Sequence, residues 1–242
     1  MRTARTLRMT IALMGLLVAV APAWGQSYHG RYRGGVADRD GAFRVSLGAF
    51  RPDGDSEYWD DVERDFTGDI GNYENASFGI DYLLNLNRHT GLLFSGTAFE
   101  GDTTHAYRGF VDNFGDRIRH DTTLGIATAT LGVVFHFAPE AAISPYIGAG
   151  GGAFFWNLEE DGDFIDFGPN PDEIFSARLK SDGVTFGHYW LAGLEAPITD
   201  RVSLFAEGRW TRAKDELSGD FENFGDIDLS GRQYAVGISW NM

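Results

Sequence analysis

The sequence predicts an all-β fold: an eight-stranded antiparallel up-and-down transmembrane β-barrel with long acidic external loops and short periplasmic turns. Three observations predict it. Eight segments alternate apolar and polar residues with period two. The connections between them alternate short and long. The chain opens with an export address, and no later apolar run approaches the roughly 20 residues of a membrane-spanning helix.

Composition narrows the function classes. The 242 residues carry 35 acids against 20 bases, a formal net charge of −15. Phosphate neutralisation needs clustered Lys and Arg, so nucleic acid is not an expected partner. Cysteine is absent, which excludes a disulfide scaffold, a thiolate zinc site and a cysteine nucleophile. Only Lys180 and Lys214 are lysines; the other cations are arginines.

Residues 1–25 read as a signal peptide. Arg2, Arg5 and Arg8 form the cationic start, Met9 to Val20 the apolar stretch, and Ala23-Trp24-Gly25 the small-x-small step before Gln26. Ala21-Pro22-Ala23 before Trp24 fits the same rule. A polar leader follows at 26–40, and the barrel is expected over 41–242.

The first strand, about 42–50, sets Phe43, Val45 and Leu47 against Arg44 and Ser46. The second, about 76–85, sets Phe78, Ile80 and Tyr82 against Ser77, Gly79 and Asp81. The third, about 90–100, alternates Leu92, Phe94 and Ala98 with Ser95 and Thr97. The fourth, about 121–137, ends in Leu131, Val133, Phe135 and Phe137, and the fifth runs from Ile143 to Trp156 through glycines. The sixth, about 184–196, sets Phe186, Trp190 and Leu194 opposite Tyr189 and Glu195. The seventh, about 202–213, sets Leu204 and Trp210 opposite Glu207 and Arg209. The last, about 227–242, closes with Tyr234, Val236, Ile238 and Trp240. Each is about the 9–11 residues a tilted strand needs to cross a bilayer, or longer.

Short turns join strands at 86–89, 138–142 and 197–200; the long connections are 51–74, 101–120, 158–182 and 214–226. Those four together hold seventeen more acids than bases, exceeding the imbalance of the whole chain. The acidity is therefore a property of one rim, where it gives a solvated surface. Two aromatic girdles are expected: Phe154, Phe155, Trp156, Phe186 and Trp210 at loop-side ends, Tyr82, Phe135, Phe137, Tyr146 and Trp240 at turn-side ends. Alternation alone also suits a soluble eight-stranded calyx, but the export address, loop asymmetry and girdles favour the membrane.

Three further stretches carry a resemblance: Ser144-Pro145-Tyr146-Ile147-Gly148-Ala149-Gly150-Gly151-Gly152, the hairpin from Ala192 to Glu207, and the closing Asp228 to Met242. They resemble the small OmpA/OmpX-type outer-membrane barrels over about 41–242. The resemblance implies a Gram-negative outer-membrane location, with outer-membrane lipids and lipopolysaccharide around the barrel. It also implies assembly through the C-terminal strand by the barrel-assembly machinery, although the family's usual terminal Phe is Met242 here. It implies no particular activity. The favoured expectation is a structural or interaction role, envelope-stabilising or adhesin-like, with any extracellular ligand at the loops. A narrow channel for small or hydrophobic solutes is the second reading and a lipid-modifying enzyme the third.

The candidate functional residues lie on the face opposite the belt. Arg44, Asp81, Glu195, Glu207 and Arg209 face a lumen too narrow to leave charges unpaired, which predicts a salt-bridged plug. Asp161, Asp163 and Asp166, or Asp53, Asp55 and Glu57, are weak oxygen-ligand runs. An EF-hand loop needs Gly at its sixth position, where Asp166 stands. No cofactor is expected. The lipid A deacylase family carries His-x-Ser, but Trp190 and Ala138 follow His188 and His136 at that spacing, so no enzyme is expected. Finally, Gly-Asp-Phe-x-x-Phe-Gly recurs at 162–168 and 219–225, a pattern of contact loops or of chance.

Overall fold

The computed structural model describes residues 40–167 and 173–242. The expected signal peptide and, Asp40 aside, the leader lie outside the described residues. Strands β1 (Gly41–Pro52), β2 (Asn75–Asn85), β3 (Thr90–Val111), β4 (Arg117–His136), β5 (Ser144–Asp166), β6 (Glu173–Pro197), β7 (Val202–Arg212) and β10 (Gly231–Asn241) form the barrel wall. They close into one ring in the order β1-β10-β7-β6-β5-β4-β3-β2, every neighbour antiparallel. The first and last strands seal it through eleven paired positions, from Ala42↔Asn241 to Pro52↔Gly231. Two short strands, β8 (Lys214–Glu216) and β9 (Asp226–Asp228), pair beside the mouth, and helix α1 (Glu57–Asp65) leads from β1 toward β2.

Alternation decides which way each side chain points. On β1, Leu47 is exposed while Arg44 and Ser46 are buried; on β6, Phe186, Trp190 and Leu194 are exposed while Tyr189, Leu191 and Glu195 are buried. The outward face is thus an apolar belt suited to hydrocarbon, and the inward face fills the ring. Glycines on the inward face let large side chains cross it. A Cβ on Gly150 would sit 2.8 Å from Cζ of Tyr189, and one on Gly132 would collide with the same hydroxyl.

The strands differ from expectation in length. β3, β4, β5 and β6 run for 22, 20, 23 and 25 residues, absorbing most of the segments expected as loops at 101–120 and 158–182. At about 3.3 Å per residue, β6 follows some 80 Å of chain, far beyond a bilayer's apolar core. The physical reason is on the outward face. Above Val184 it changes to Asp182, Lys180 and Arg178, facing Glu159 and Asp161 on β5. Arg178 pairs with Glu159 at 3.0 Å and Asp161 at 2.8 Å, and Lys180 with Glu159 at 2.9 Å. Hydropathic alternation stops at the membrane boundary, but backbone pairing continues, now dressed with cross-strand ion pairs. The last expected strand, from 227, likewise divides into β9 and β10.

Three expected girdle aromatics face inward: Tyr146, Phe154 and Trp156 are each at least 97% buried. The correction follows from the pleat, since consecutive Phe154, Phe155 and Trp156 cannot share one face, and only Phe155 turns outward. Tyr146 has the same parity as Phe154. Tyr82, Phe135, Phe137, Phe186, Trp210 and Trp240 do face outward, and Trp190 stacks on Trp210 with ring centroids 3.9 Å apart. Because Tyr189 occupies the space over Gly150, Gly150→Val should destabilise the barrel by about 1–3 kcal/mol, as overpacking does. Outward Ala149→Val should leave it within about 0.5 kcal/mol. Urea titration in micelles, read by heat-modifiable gel migration, measures both.

Candidate functional site

The lumen is filled in layers. Near the turn-side rim, His136 lies 3.9 Å from Glu195, both buried. Even parity on β4, opposite outward Phe135 and Phe137, turns His136 into the lumen; His188 faces outward. Above them β1, β2, β5 and β7 bring Arg44, Asp81, Tyr146, Glu207 and Arg209 together. Arg44 Nη2 donates to the Tyr146 hydroxyl at 2.7 Å, and that hydroxyl donates to Glu207 at 3.0 Å. Glu207 also accepts from Arg209 Nη2 at 3.0 Å and lies 3.5 Å from Arg44, so one carboxylate serves both cations. Arg209 Nη1 donates to Ser95 Oγ at 2.9 Å; Ser95 donates in turn to Asp81, which lies 3.8 Å from Arg209. Arg44 is also stacked 3.8 Å over the Phe205 ring. Of the five charges named from sequence, Glu195 stands a layer apart beside His136; Tyr146, Ser95 and Phe205 are the partners that sequence reasoning missed.

Apolar groups complete this half. Ala42, Leu83, Leu93, Val134, Tyr189 and Leu191 pack around the network, so the lumen is less polar than alternation suggests. Above it a cavity of about 20 Å³ is lined by Ser77, Thr97, Thr128, Thr130, Gln233 and Arg209 among others. That is room for very little water.

The second layer lies inside the mouth. Phe50, Phe99, Ile126, Phe154 and Trp156 from the wall meet Tyr58, Trp59 and Val62 of α1 and Phe221, Ile227 and Leu229 from the last connection. Trp59 is 2% exposed and donates from Nε1 to the Asp228 carbonyl at 2.9 Å. Trp156 Nε1 donates to Asp215 at 2.7 Å. Two connections expected to be solvated loops therefore supply a hydrophobic core. Tyr58, Trp59 and Val62, spaced for one face of a helix, were the signal available in the sequence.

A polar layer lies higher, where the outward neighbours on β3 to β6 are Asp102, Asp121, Glu159 and Arg178 and the wall is outside the membrane-spanning segments. Tyr58 donates to Glu160 at 2.7 Å, and His120 Nε2 is 3.9 Å from the same carboxyl. The Tyr73 hydroxyl donates to His105 Nε2 at 2.9 Å, and His105 Nδ1 donates to the Thr67 carbonyl at 2.9 Å, which fixes the neutral tautomer. Burial lifts the Glu160 carboxyl to about 7, against the Tyr58 hydrogen bond. Burial and neighbouring His105 lower His120 to about 4.

The acidic runs do not converge. Asp161 is taken by Arg178, Asp163 accepts from Ser176 Oγ at 2.6 Å, and Asp166 ends β5 opposite Glu173. Asp53 pairs with Arg212 and Arg232. Among the described residues no three His, Asp or Glu side chains are gathered to hold a metal ion.

These features define a class by fold: an eight-stranded up-and-down transmembrane barrel with a filled lumen. Among solved structures the chain is similar to the outer membrane protein OprG from Pseudomonas aeruginosa, at 13% identity and a TM-score of 0.50, covering 86% of this chain and 98% of that one. It is similar also to Neisserial surface protein A, at 12% identity and a TM-score of 0.48, covering 84% and 96%. At such identity the likeness is one of fold. No protein-family model matches the chain, and no curated protein matches it in sequence.

Arg209→Ala takes from Asp81 its ion-pair partner and leaves Glu207 with Arg44 alone, and Arg44→Ala leaves Glu207 with Arg209 alone; each should cost about 3–5 kcal/mol in urea unfolding, whereas exposed Arg117→Ala should cost under about 0.5. The mouth should respond to pH only when its pair is broken. Glu160 binds its proton more tightly folded than at its ordinary 4.5, so its contribution is complete below 4.5 and is lost as pH rises through about 7. His120 binds its proton less tightly than at its ordinary 6.5, so its contribution is complete above 6.5 and is lost as pH falls through about 4. The two nearly offset in the wild type. Glu160→Gln should therefore expose a loss of about 2–3 kcal/mol on acidification, and His120→Asn a similar loss on alkalisation, by pulse proteolysis of segment 57–73 in urea.

Proposed function

We propose that this protein is a closed surface barrel of a Gram-negative outer membrane, with a structural or interaction role at its external mouth and no enzymatic one. The observation that supports it is the pair of seals in series. The Arg44–Glu207–Arg209–Asp81 network blocks the membrane half of the lumen, and the aromatic core around Trp59, Phe154 and Trp156 blocks the mouth. A solute would have to separate paired buried charges and a packed core, each costing several kcal/mol. The outer rim is by contrast long and highly charged, the part of the molecule offered to the surroundings.

Planar-bilayer recording tests this. Wild-type protein should show no steady conductance, and neither should Arg209→Ala or Trp59→Ala alone, since the other seal remains. The double variant Arg209→Ala/Trp59→Ala should conduct. Steady single-channel steps in the wild type would put the narrow-channel reading in its place.

A further inference from the structure

The four-stranded wall above the membrane does not end as one sheet. β4 and β5 pair up to His120↔Gly162. Beyond that point β3 and β4 continue to Val111↔Arg117, and β5 and β6 to Asp166↔Glu173, as two separate hairpin arms. The arms touch at an aromatic joint: Phe110 and Phe167 meet edge to face with centroids 5.5 Å apart, beside Tyr107. At the joint Phe167 is 61% exposed; on the same two arms Phe114, in the first arm's turn, is 91% exposed and Phe175, on β6, 44%. Such a group of bare phenylalanines marks a contact surface.

The arms differ in charge. The first holds Arg108, Arg117 and Arg119 on its strands against Asp112 and Asp116 in its turn, where Asp112 accepts from the amides of Phe114 and Asp116 at 2.8 Å, so its strands are cationic. The second holds Asp163, Asp166 and Glu173, with no base between 163 and 176. Arg117 and Arg119 are exposed and make no ion pair among the described residues. A cationic arm, an apolar centre and an anionic arm, side by side, are the elements of a self-complementary patch. Turned about a two-fold axis, the patch sets each arginine arm against the partner's acidic arm and the phenylalanines against each other.

We propose that the tip of the mouth is a homotypic docking surface, on which a second copy of this chain carried by a facing membrane is seated. The proposal rests on the surface-interaction reading above and names its partner. One such contact is small and weak, but many copies on two facing membranes act together, so avidity supplies what area does not. The strands lift the tip clear of the belt, where two membranes can present tips to each other.

Proteoliposomes of phosphatidylcholine test it, with clustering followed by light scattering. Wild-type vesicles should cluster. Vesicles carrying Arg117→Glu/Arg119→Glu, or Asp163→Arg/Glu173→Arg, should each cluster about tenfold more slowly alone, because like charges then face each other. Mixed together, the two variants should recover clustering near the wild-type rate. Phe114→Ser/Phe167→Ser should reduce it with the charges intact. Heat-modifiable migration shows that each variant barrel is folded, since all the substitutions lie beyond the membrane. Wild-type vesicles that stay dispersed, or charge variants that cluster as well alone as mixed, would overturn the proposal. Conductance of the same vesicles is independent of the tip, so a leak would count against the closed barrel and a failure to cluster against this proposal alone.

Discussion

Closing eight strands into a ring leaves an interior just wide enough for side chains, and every second residue of each strand must enter it. This constraint organises the rest of the molecule. Inside the membrane half, the residues that enter include Arg44, Asp81, Glu207 and Arg209, drawn from strands on both sides of the closing seam. Desolvated charges of this kind are tolerated only when paired and hydrogen-bonded. The ring meets that demand with Tyr146 and Ser95 as relays, and with glycines that leave space for the tyrosines. Filling the lumen and closing it are the same event.

Above the membrane the constraint changes form. β1, β2, β7 and β10 stop after eleven or twelve residues, whereas β3 to β6 continue. The ring becomes a one-sided wall with a bare concave face. Here the inward side chains are apolar up to the polar layer of Glu160, His105 and His120, and what covers them is α1 from one long connection and the 217–229 segment from another. The wall and its cover therefore form a small globular core standing on a membrane barrel. Its outward face needs no lipid, which is why the ion pairs of Arg178 and Lys180 replace the belt residues there.

The repeated Gly-Asp-Phe-x-x-Phe-Gly shows how context separates equal sequences. The first copy lies mainly in β5; the second forms a 3-10 turn over 219–221. In each, the first phenylalanine is buried, Phe164 against His120 and Phe221 in the mouth core, and the second is exposed. Each aspartate accepts from β6, Asp163 from Ser176 and Asp220 from the Lys180 amide. The shared residues have similar contacts on different backbones.

The sequence by itself determined the strand number, their antiparallel order and the facing of most side chains, because a half-buried strand leaves a period-two record that needs no partner to be read. The same record set Arg44, Asp81, Glu195, Glu207 and Arg209 on the face opposite the belt, and gave no sign of Glu160, which it left in a connection. It did not determine where the strands end, since charged outward residues erase the alternation while the backbone ladder goes on. Nor did it separate Tyr146, Phe154 and Trp156 from girdle aromatics, because an aromatic suits a membrane interface and a barrel interior equally and only strict parity distinguishes them. Beyond the helical spacing of Tyr58, Trp59 and Val62, the mouth core was decided by tertiary structure. Tyr58, Trp59, Phe221 and Leu229 lie in polar, acidic segments far apart in the chain, and only the one-sided wall of β3 to β6 brings them together.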